Sequence, residues 1–418
     1  MKTITIREAY DWLQVENQRP SSLTNVEWDH LIQYLEQKYQ NENVVEYGNK
    51  RIRFINLVGV IQLKTVRIEI LPKLDLEQND PALNRRSLLN MLSVTKHLPV
   101  SLNDQTRSHY EKVDLSHILA FIYISELFKA VKRGLYRGYR SKTENIKHLK
   151  GRLLVSQHIR KNAFMSVNAY CEYDELSANV PLNQLLKAAL KVIFPYVRNS
   201  TLKTQTWMIY EMFDEVEDVF INTSIIETIQ INRQNKHYEA VLQLALAILH
   251  SSSMSTGENN QIAYSFLFKM NDLYEWYVGE CLKRVLSPGA FKLDLQHKGR
   301  KLLIDTHTGR GTVQLKPDFV VSKLVFGEPI PVVILDTKWK NGRYGPNPSD
   351  TYQMYAYVTA YKSAERCIIL YPKNDNELLL PKWRVPDSSP VKHIEIRTIR
   401  LDKVQHTIAD LREILSFQ

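Results

Sequence analysis

The sequence predicts a mixed α/β protein in three parts: a small β-rich N-terminal domain over residues 1–80, a mainly helical middle over 81–255, and an α/β module over 256–418. Three observations carry this reading. Apolar residues recur at about every second position before Pro72, and at every third or fourth between residues 82 and 249. Helix and strand patterns then alternate beyond a cluster of Ser, Gly and Asn at 251–260, the best linker in the chain.

In the first part, residues 51–57 and 66–71 alternate around Gly48 and Gly59, as strands of a half-buried sheet do. Pro72 ends the second stretch because it cannot donate to a ladder. In the middle, Leu88, Leu89 and Leu92 form one helical stripe and Leu115, Ile118, Leu119 and Ile122 another. Beyond the linker the pattern predicts a helix over about 264–286, three strands near 291–337, a helix over 348–361 and a strand over 367–371.

Composition narrows the function. The 418 residues are 44% hydrophobic with 14 Gly and 16 Pro, which excludes a largely disordered or collagen-like chain. Lys and Arg number 55 against 45 acids, a net +10 that favours a polyanionic partner, nucleic acid before membrane. Cys171, Cys281 and Cys367 show neither disulfide nor zinc spacing, and no signal peptide or membrane span is present, so the expected location is cytoplasmic. No phosphate-binding fingerprint surrounds Gly309, Gly311, Gly342 or Gly345, so nucleotide binding by this chain is not expected.

The sharpest constellation is Pro317-Asp318 on one strand and Asp336-Thr337-Lys338 on the next, within VQLKPDFVV and PVVILDTKWK. Residues i and i+2 leave a strand on one face, so Asp336 and Lys338 point together and Thr337 points away. Asp318, across a hairpin turning near Gly327, adds a second carboxylate, enough to hold one Mg²⁺. Metal and ammonium together suit phosphodiester hydrolysis, because both oppose charge developing on the phosphate. Taken singly, Pro-Asp reads as a turn and Asp-x-Lys as an ion pair on a half-exposed strand. Glu275, in the preceding helix, reads either as a third oxygen donor or as a solvated glutamate. In the following helix Gln353 suits a bond to phosphate or water, while Tyr355 and its aromatic neighbours suit packing.

The segments MNDLYEWYV, KPDFVV, ILDTKWK and DTYQMYAY resemble the PD-(D/E)xK nucleases and, within them, the McrC family, nuclease subunits of bacterial McrBC methylation-dependent restriction systems. The resemblance extends upstream through GVIQLKTVRIEILPKL, HLKGRLL, YDELSANVPLNQLLKAAL and NKHYEAVLQLALAIL, and so covers most of the chain. It implies a restriction-endonuclease-like C-terminal module with Asp318 and Asp336 as Mg²⁺ ligands, Lys338 as the catalytic lysine, Glu275 as the acidic helix residue and Gln353 as the helix glutamine. It also implies double-stranded DNA as substrate and a GTP-binding AAA+ ring like McrB as partner, engaged through the N-terminal sheet and part of the middle. The chain is longer than a minimal family member, so the middle carries length the resemblance does not explain.

Independently, residues 126–162 hold eleven Lys or Arg against two acids. Lys132, Arg133, Arg137, Arg140, Lys147, Lys150 and Arg152 are candidates for DNA phosphates, or else a solvated helix face or a surface for an acidic partner. Lys340 and Arg343, just past the lysine strand, are placed for phosphate as well. The rival functions are a non-enzymatic DNA-binding adaptor that activates a ring NTPase, and a stand-alone repair nuclease.

Overall fold

The computed structural model describes residues 2–16, 21–39, 42–63, 65–74, 81–95, 115–163, 167–197, 200–252, 262–340, 347–373 and 380–416. The chain forms two compact units. One combines Met1–Leu115 with Ser255–Gln418, and the other is Ser116–Met254. This differs from the three-part division: the N-terminal sheet and the C-terminal module share a unit, and only the end of the middle, near the predicted linker, coincides with a boundary. Residues 253–260 of that linker lie outside the described residues.

In the first unit come β1 (Lys2–Arg7), β2 (Leu13–Gln14), α1 (Asn25–Tyr39), β3 (Val45–Gly48), β4 (Arg51–Phe54), β5 (Leu57–Leu63), β6 (Val66–Leu71) and α2 (Pro81–Val94). Thr24 and Glu27 form a reciprocal cap that starts α1: Thr24 Oγ1 accepts the Glu27 N–H, and Glu27 Oε2 accepts the Thr24 N–H. Strands β5 and β6 are buried at every position, so their alternation in sequence does not mark a solvent face. β1 runs parallel to β6, and β6 pairs antiparallel with β5. Leu31, Tyr34 and Leu35 of α1 pack into the core with Ile4, Ile61 and Ile68.

The second unit follows: α3 (Leu115–Val131), which begins at the boundary, β7 (Gly138–Ile146), β8 (Arg152–Leu153), α4 (Val155–Asn162), β9 (Ala169–Ser177), α5 (Pro181–Ile193), α6 (Ser200–Met212), α7 (Thr223–Thr228) and α8 (Glu239–Ser252). It is mainly helical as expected, with one correction. The basic segment is not one helix face: it runs from the end of α3 through β7 and β8 into α4, and β7 and β8 pair with β9 in an antiparallel sheet of order β7-β9-β8. β7 is polar and mostly exposed, and β9 buries only Cys171 and Tyr173, so neither carries an apolar alternation long enough to mark a strand.

Returning to the first unit, β10 (Ile262–Lys269) pairs antiparallel with β5, and only then does α9 (Met270–Val285) begin. The helix predicted from 264 therefore starts six residues later. Gly59 explains part of this: a Cβ there would lie 1.9 Å from the Phe266 carbonyl oxygen, and its φ is +129°, so only glycine lets β10 approach. Next come β11 (Phe291–Leu295), β12 (Arg300–Ile304), β13 (Gly311–Leu315), β14 (Phe319–Val325), β15 (Glu328–Thr337), α10 (Pro348–Ala360), β16 (Arg366–Pro372), β17 (Lys382–Arg384), β18 (His393–Ile399) and α11 (Val404–Ile414). The three strands predicted before 337 are five, because β12 and β13 form a separate hairpin.

The six-stranded sheet runs β11-β14-β15-β16-β18-β17. β15, β16 and β18 are parallel, with α10 crossing from β15 to β16, while β14 joins β15 in a hairpin. Met354, Tyr357 and Val358 of α10 and Tyr361 just after it pack with Val320, Ile334, Ile369 and Ile396, which covers one face of the sheet. Alternation turns Phe319 the other way, toward Gly279 of α9. No helix among the described residues is long and apolar enough to cross a membrane.

Candidate active site

β15 is apolar through Val332–Leu335 and then turns acidic, so the strand carries Asp336 into the interior at its carboxyl end. Asp336 is 1% exposed. Burial, then the negative charge of Asp318, pushes its carboxyl above the usual range, and Lys338 opposes the shift. Lys338 Nζ stands 2.5 Å from Asp336 Oδ2 and donates to Gln353 Oε1 at 3.0 Å. Its proton is held more firmly than an ordinary lysine's: burial works against the charge, but Asp336, Asp318 and Asp350 together outweigh it. The i and i+2 pairing expected of Asp336 and Lys338 is thus present, and Gln353 joins it from α10.

Asp318 does not lie on a strand. It occupies the bend before β14, and its Oδ2 accepts both the backbone N–H and the hydroxyl of Thr337 at 2.6 Å. Thr337 was expected to point away from the site; its hydroxyl instead fixes the first aspartate, because the strand ends there and its last side chain meets the neighbouring bend. Glu275, on α9, accepts a hydrogen bond from Gln296 Nε2 at 2.7 Å. Half-burial, then the charge of Asp318, raises its carboxyl above the ordinary value, so the structure brings Glu275 within electrostatic reach of the aspartates.

Among the described residues no three His, Cys, Asp or Glu side chains gather as one metal-holding group. The chemistry of the pair nonetheless suits a hard cation. Asp336 Oδ2 is buried and accepts no hydrogen bond of proper geometry, and Asp318 engages Thr337 through Oδ2 alone. Mg²⁺ keeps several waters and needs only one or two carboxylates.

Three contributors escaped the sequence reading. Asp350, buried near the start of α10, pairs with Lys340 Nζ at 2.9 Å. Lys340, expected to meet phosphate, therefore already has a carboxylate partner; Arg343 lies outside the described residues. Tyr357 takes a hydrogen bond from Gln353 Nε2 at 2.8 Å and donates to the Lys316 carbonyl at 3.0 Å. It is the packed tyrosine of α10, whereas Tyr355 is 51% exposed, contrary to expectation. Trp339, directly after Lys338, is buried, donates its indole N–H to Glu8, and lies against Tyr274 with ring centroids 5.4 Å apart. Only the i+4 spacing of Gln353 and Tyr357 was a local signal; Glu8 and Trp339 are 331 positions apart.

The basic segment of the second unit is partly neutralised by acids from elsewhere in that unit. Arg137 pairs with Glu215 at 3.1 Å and Arg140 with Glu217 at 3.8 Å. Lys150 lies over the Tyr173 ring at 3.9 Å. Lys132 and Arg133 occupy the turn after α3, and Lys147 and Arg152 are exposed near and on β8.

The family model for the McrBC 5-methylcytosine restriction system component matches residues 52–372, about three quarters of the chain and all of the site's carboxylates. The chain belongs to the McrBC family. A structure of a half-complex of Thermococcus gammatolerans McrB AAA+ hexamers with bound McrC, from a tetradecameric assembly, contains a similar chain. The two are 19% identical with a TM-score of 0.74, covering 99% of this chain and 100% of that one. A cryo-electron-microscopy structure of the Thermococcus gammatolerans McrBC complex gives 20% identity and a TM-score of 0.53, over 68% of this chain and 88% of that one. At such identities the likeness shows a shared fold for this McrBC family chain. No match was found among curated proteins.

Proposed function

We propose that this chain is the Mg²⁺-dependent endonuclease subunit of a GTP-driven, modification-dependent restriction complex, with a PD-(D/E)xK nuclease module over 256–418. The observation that carries the reading is the buried Asp336 carboxylate with the Lys338 ammonium 2.5 Å away, supported by membership of the McrBC family. Asp318 and Asp336 would hold the cation, with Glu275 as a further oxygen donor beside them. The chemistry a bound Mg²⁺ would supply is polarisation of the scissile phosphate and a lower pKa for the attacking water. Lys338, held between Asp336 and Gln353, keeps its proton and presents positive charge to the phosphate oxygens as negative charge grows on them. Tyr357 fixes the Gln353 amide so that its oxygen faces Lys338.

The partner is an AAA+ GTPase ring of the McrB kind, which binds the GTP, as the fold shared with a chain of the McrB–McrC structure supports. Lys147, Lys150 and Arg152 are proposed phosphate contacts, since none has an ion-pair partner among the described residues. The test is cleavage of methylated duplex DNA by the chain co-expressed with its GTPase. Cutting should require Mg²⁺ and disappear in Asp336→Ala, while the variant still stimulates GTP hydrolysis. Undiminished cutting by Asp336→Ala would discard the site.

A further inference from the structure

The hairpin β12–β13 springs from the site at both ends. Ahead of it, the Gln296 N–H donates to the Asp318 carbonyl at 2.7 Å, and the Gln296 side chain holds Glu275. Behind it, Leu315 is three residues from Asp318. The base is tied: Gln314 Nε2 donates to the carbonyls of Lys298 and Arg300 at 2.7 and 2.8 Å, and His297 bonds the Tyr361 hydroxyl on the α10 side at 2.5 Å. Beyond this base the ribbon is exposed on both faces, with Leu303 at 57% and Ile304 at 72%.

A two-stranded ribbon with both faces in water gains little from burial, so its apolar residues call for another surface. Its charge says which. Lys298, Arg300, Lys301 and Arg310 have no ion-pair partner among the described residues. The single acid, Asp305, is consumed by its own turn, accepting from the N–H groups of His307 and Thr308 and from the Thr308 hydroxyl. Two such ribbons facing each other in a pair of copies would set four cations against four. A polyanion removes that repulsion, and a DNA groove admits a two-stranded ribbon.

We propose that the β12–β13 hairpin is a DNA-binding arm that enters a groove of the duplex beside the cleavage site, with Arg300, Lys301 and Arg310 on phosphates and Leu303 and Ile304, which leave β12 on opposite faces, against its two walls. The proposal rests on the nuclease reading and fixes which part of the nuclease unit grips its substrate. Because the arm's base is bonded to Asp318 and Glu275, seating it in a groove would place a phosphodiester at the carboxylates.

The test is binding rather than cutting. The full chain with its GTPase partner is titrated with methylated duplex in Ca²⁺ at several salt concentrations. Arg300→Ala/Lys301→Ala/Arg310→Ala should weaken binding and reduce the log–log salt slope by nearly one unit per lost contact, roughly three in all. The charge-keeping Arg300→Lys/Arg310→Lys variant should retain most of the slope, and Leu303→Ser/Ile304→Ser should lower affinity with the slope unchanged. GTPase stimulation and oligomeric mass should stay at wild-type values throughout. An unchanged slope in the triple variant overturns the proposal, as does loss of stimulation or of mass with DNA binding intact, which would assign the arm to a protein surface. Should the triple variant fail to fold, the single Lys301→Ala and Arg310→Ala variants decide it, a slope equal to wild type in both being fatal. Wild-type cutting of the same DNA is measured alongside, so that its absence, with the arm still binding, would count against the nuclease reading alone.

Discussion

Asp336 and Lys338 stand two residues apart at the end of a buried strand and meet in one ion pair, whereas the cations between Arg137 and Arg152 spread over an exposed ribbon and partly pair with acids from elsewhere. In the first region the apolar run before Asp336 forces the strand inside, so the charges have no solvent to spread into and must find each other. In the second, water screens every pair, and which cation is neutralised depends on which acid the fold happens to bring near. A motif embedded in apolar sequence therefore predicts a site, while a charge count predicts only a potential.

The largest effect that would sharpen this contrast is expected at Lys338. Lys338→Ala should lower the DNA cleavage rate by about 10²–10³-fold, the usual consequence of removing a group that opposes developing charge, with partner GTPase stimulation preserved. Single-turnover assays beside GTP hydrolysis measure both. Asp318→Ala should approach that loss, and Glu275→Ala should fall well short of it, because Glu275 is held by Gln296 and reaches the aspartates only electrostatically. Equal losses would make Glu275 a direct metal ligand.

The next effect concerns pH. The Asp336 carboxyl is raised above its ordinary value by burial first and by Asp318 second, so the metal-free site keeps a proton to higher pH than an exposed aspartate. Binding a cation must expel that proton. Mg²⁺ affinity should fall as pH drops through the raised value, by at most about tenfold per pH unit for one proton, and level off above it. Calorimetric titration across the neutral range in two buffers of different ionisation enthalpy reads both affinity and proton release; a flat profile without release would contradict the buried-carboxylate picture.

The smallest effect distinguishes cations within the second region. Charge reversal of Lys147, Lys150 and Arg152 should flatten the salt dependence of DNA binding by about one unit per contact, and reversal of Arg137 and Arg140 by less, since Glu215 and Glu217 already hold them. If both sets leave the slope unchanged while GTPase stimulation collapses, the patch faces the partner ring.

How much was legible in the sequence follows the same division. Asp318, Asp336, Lys338, Glu275 and Gln353 were found from residue types, spacing and resemblance, and the structure groups them at one end of the sheet. The helices at α2, α3, α9 and α10 and the strands β6 and β16 were read from periodicity, with α9 starting late because the β10 segment before it is equally apolar and is decided by its pairing with β5. The β7-β9-β8 sheet was missed because β7 is polar and mostly exposed and β9 buries only Cys171 and Tyr173.

By itself, the sequence determined the order of the candidate-site residue types and the apolar flanks that bury them, because both are local: a carboxylate and an ammonium at i and i+2 share a face whatever surrounds the strand. Only the tertiary structure decided that Thr337 holds Asp318, that Asp350 takes Lys340, and that Glu8 near the N-terminus receives the Trp339 indole N–H. Those partners are separated by ten to more than three hundred positions, and which donor meets which acceptor depends on where folding brings them, a condition no local pattern encodes.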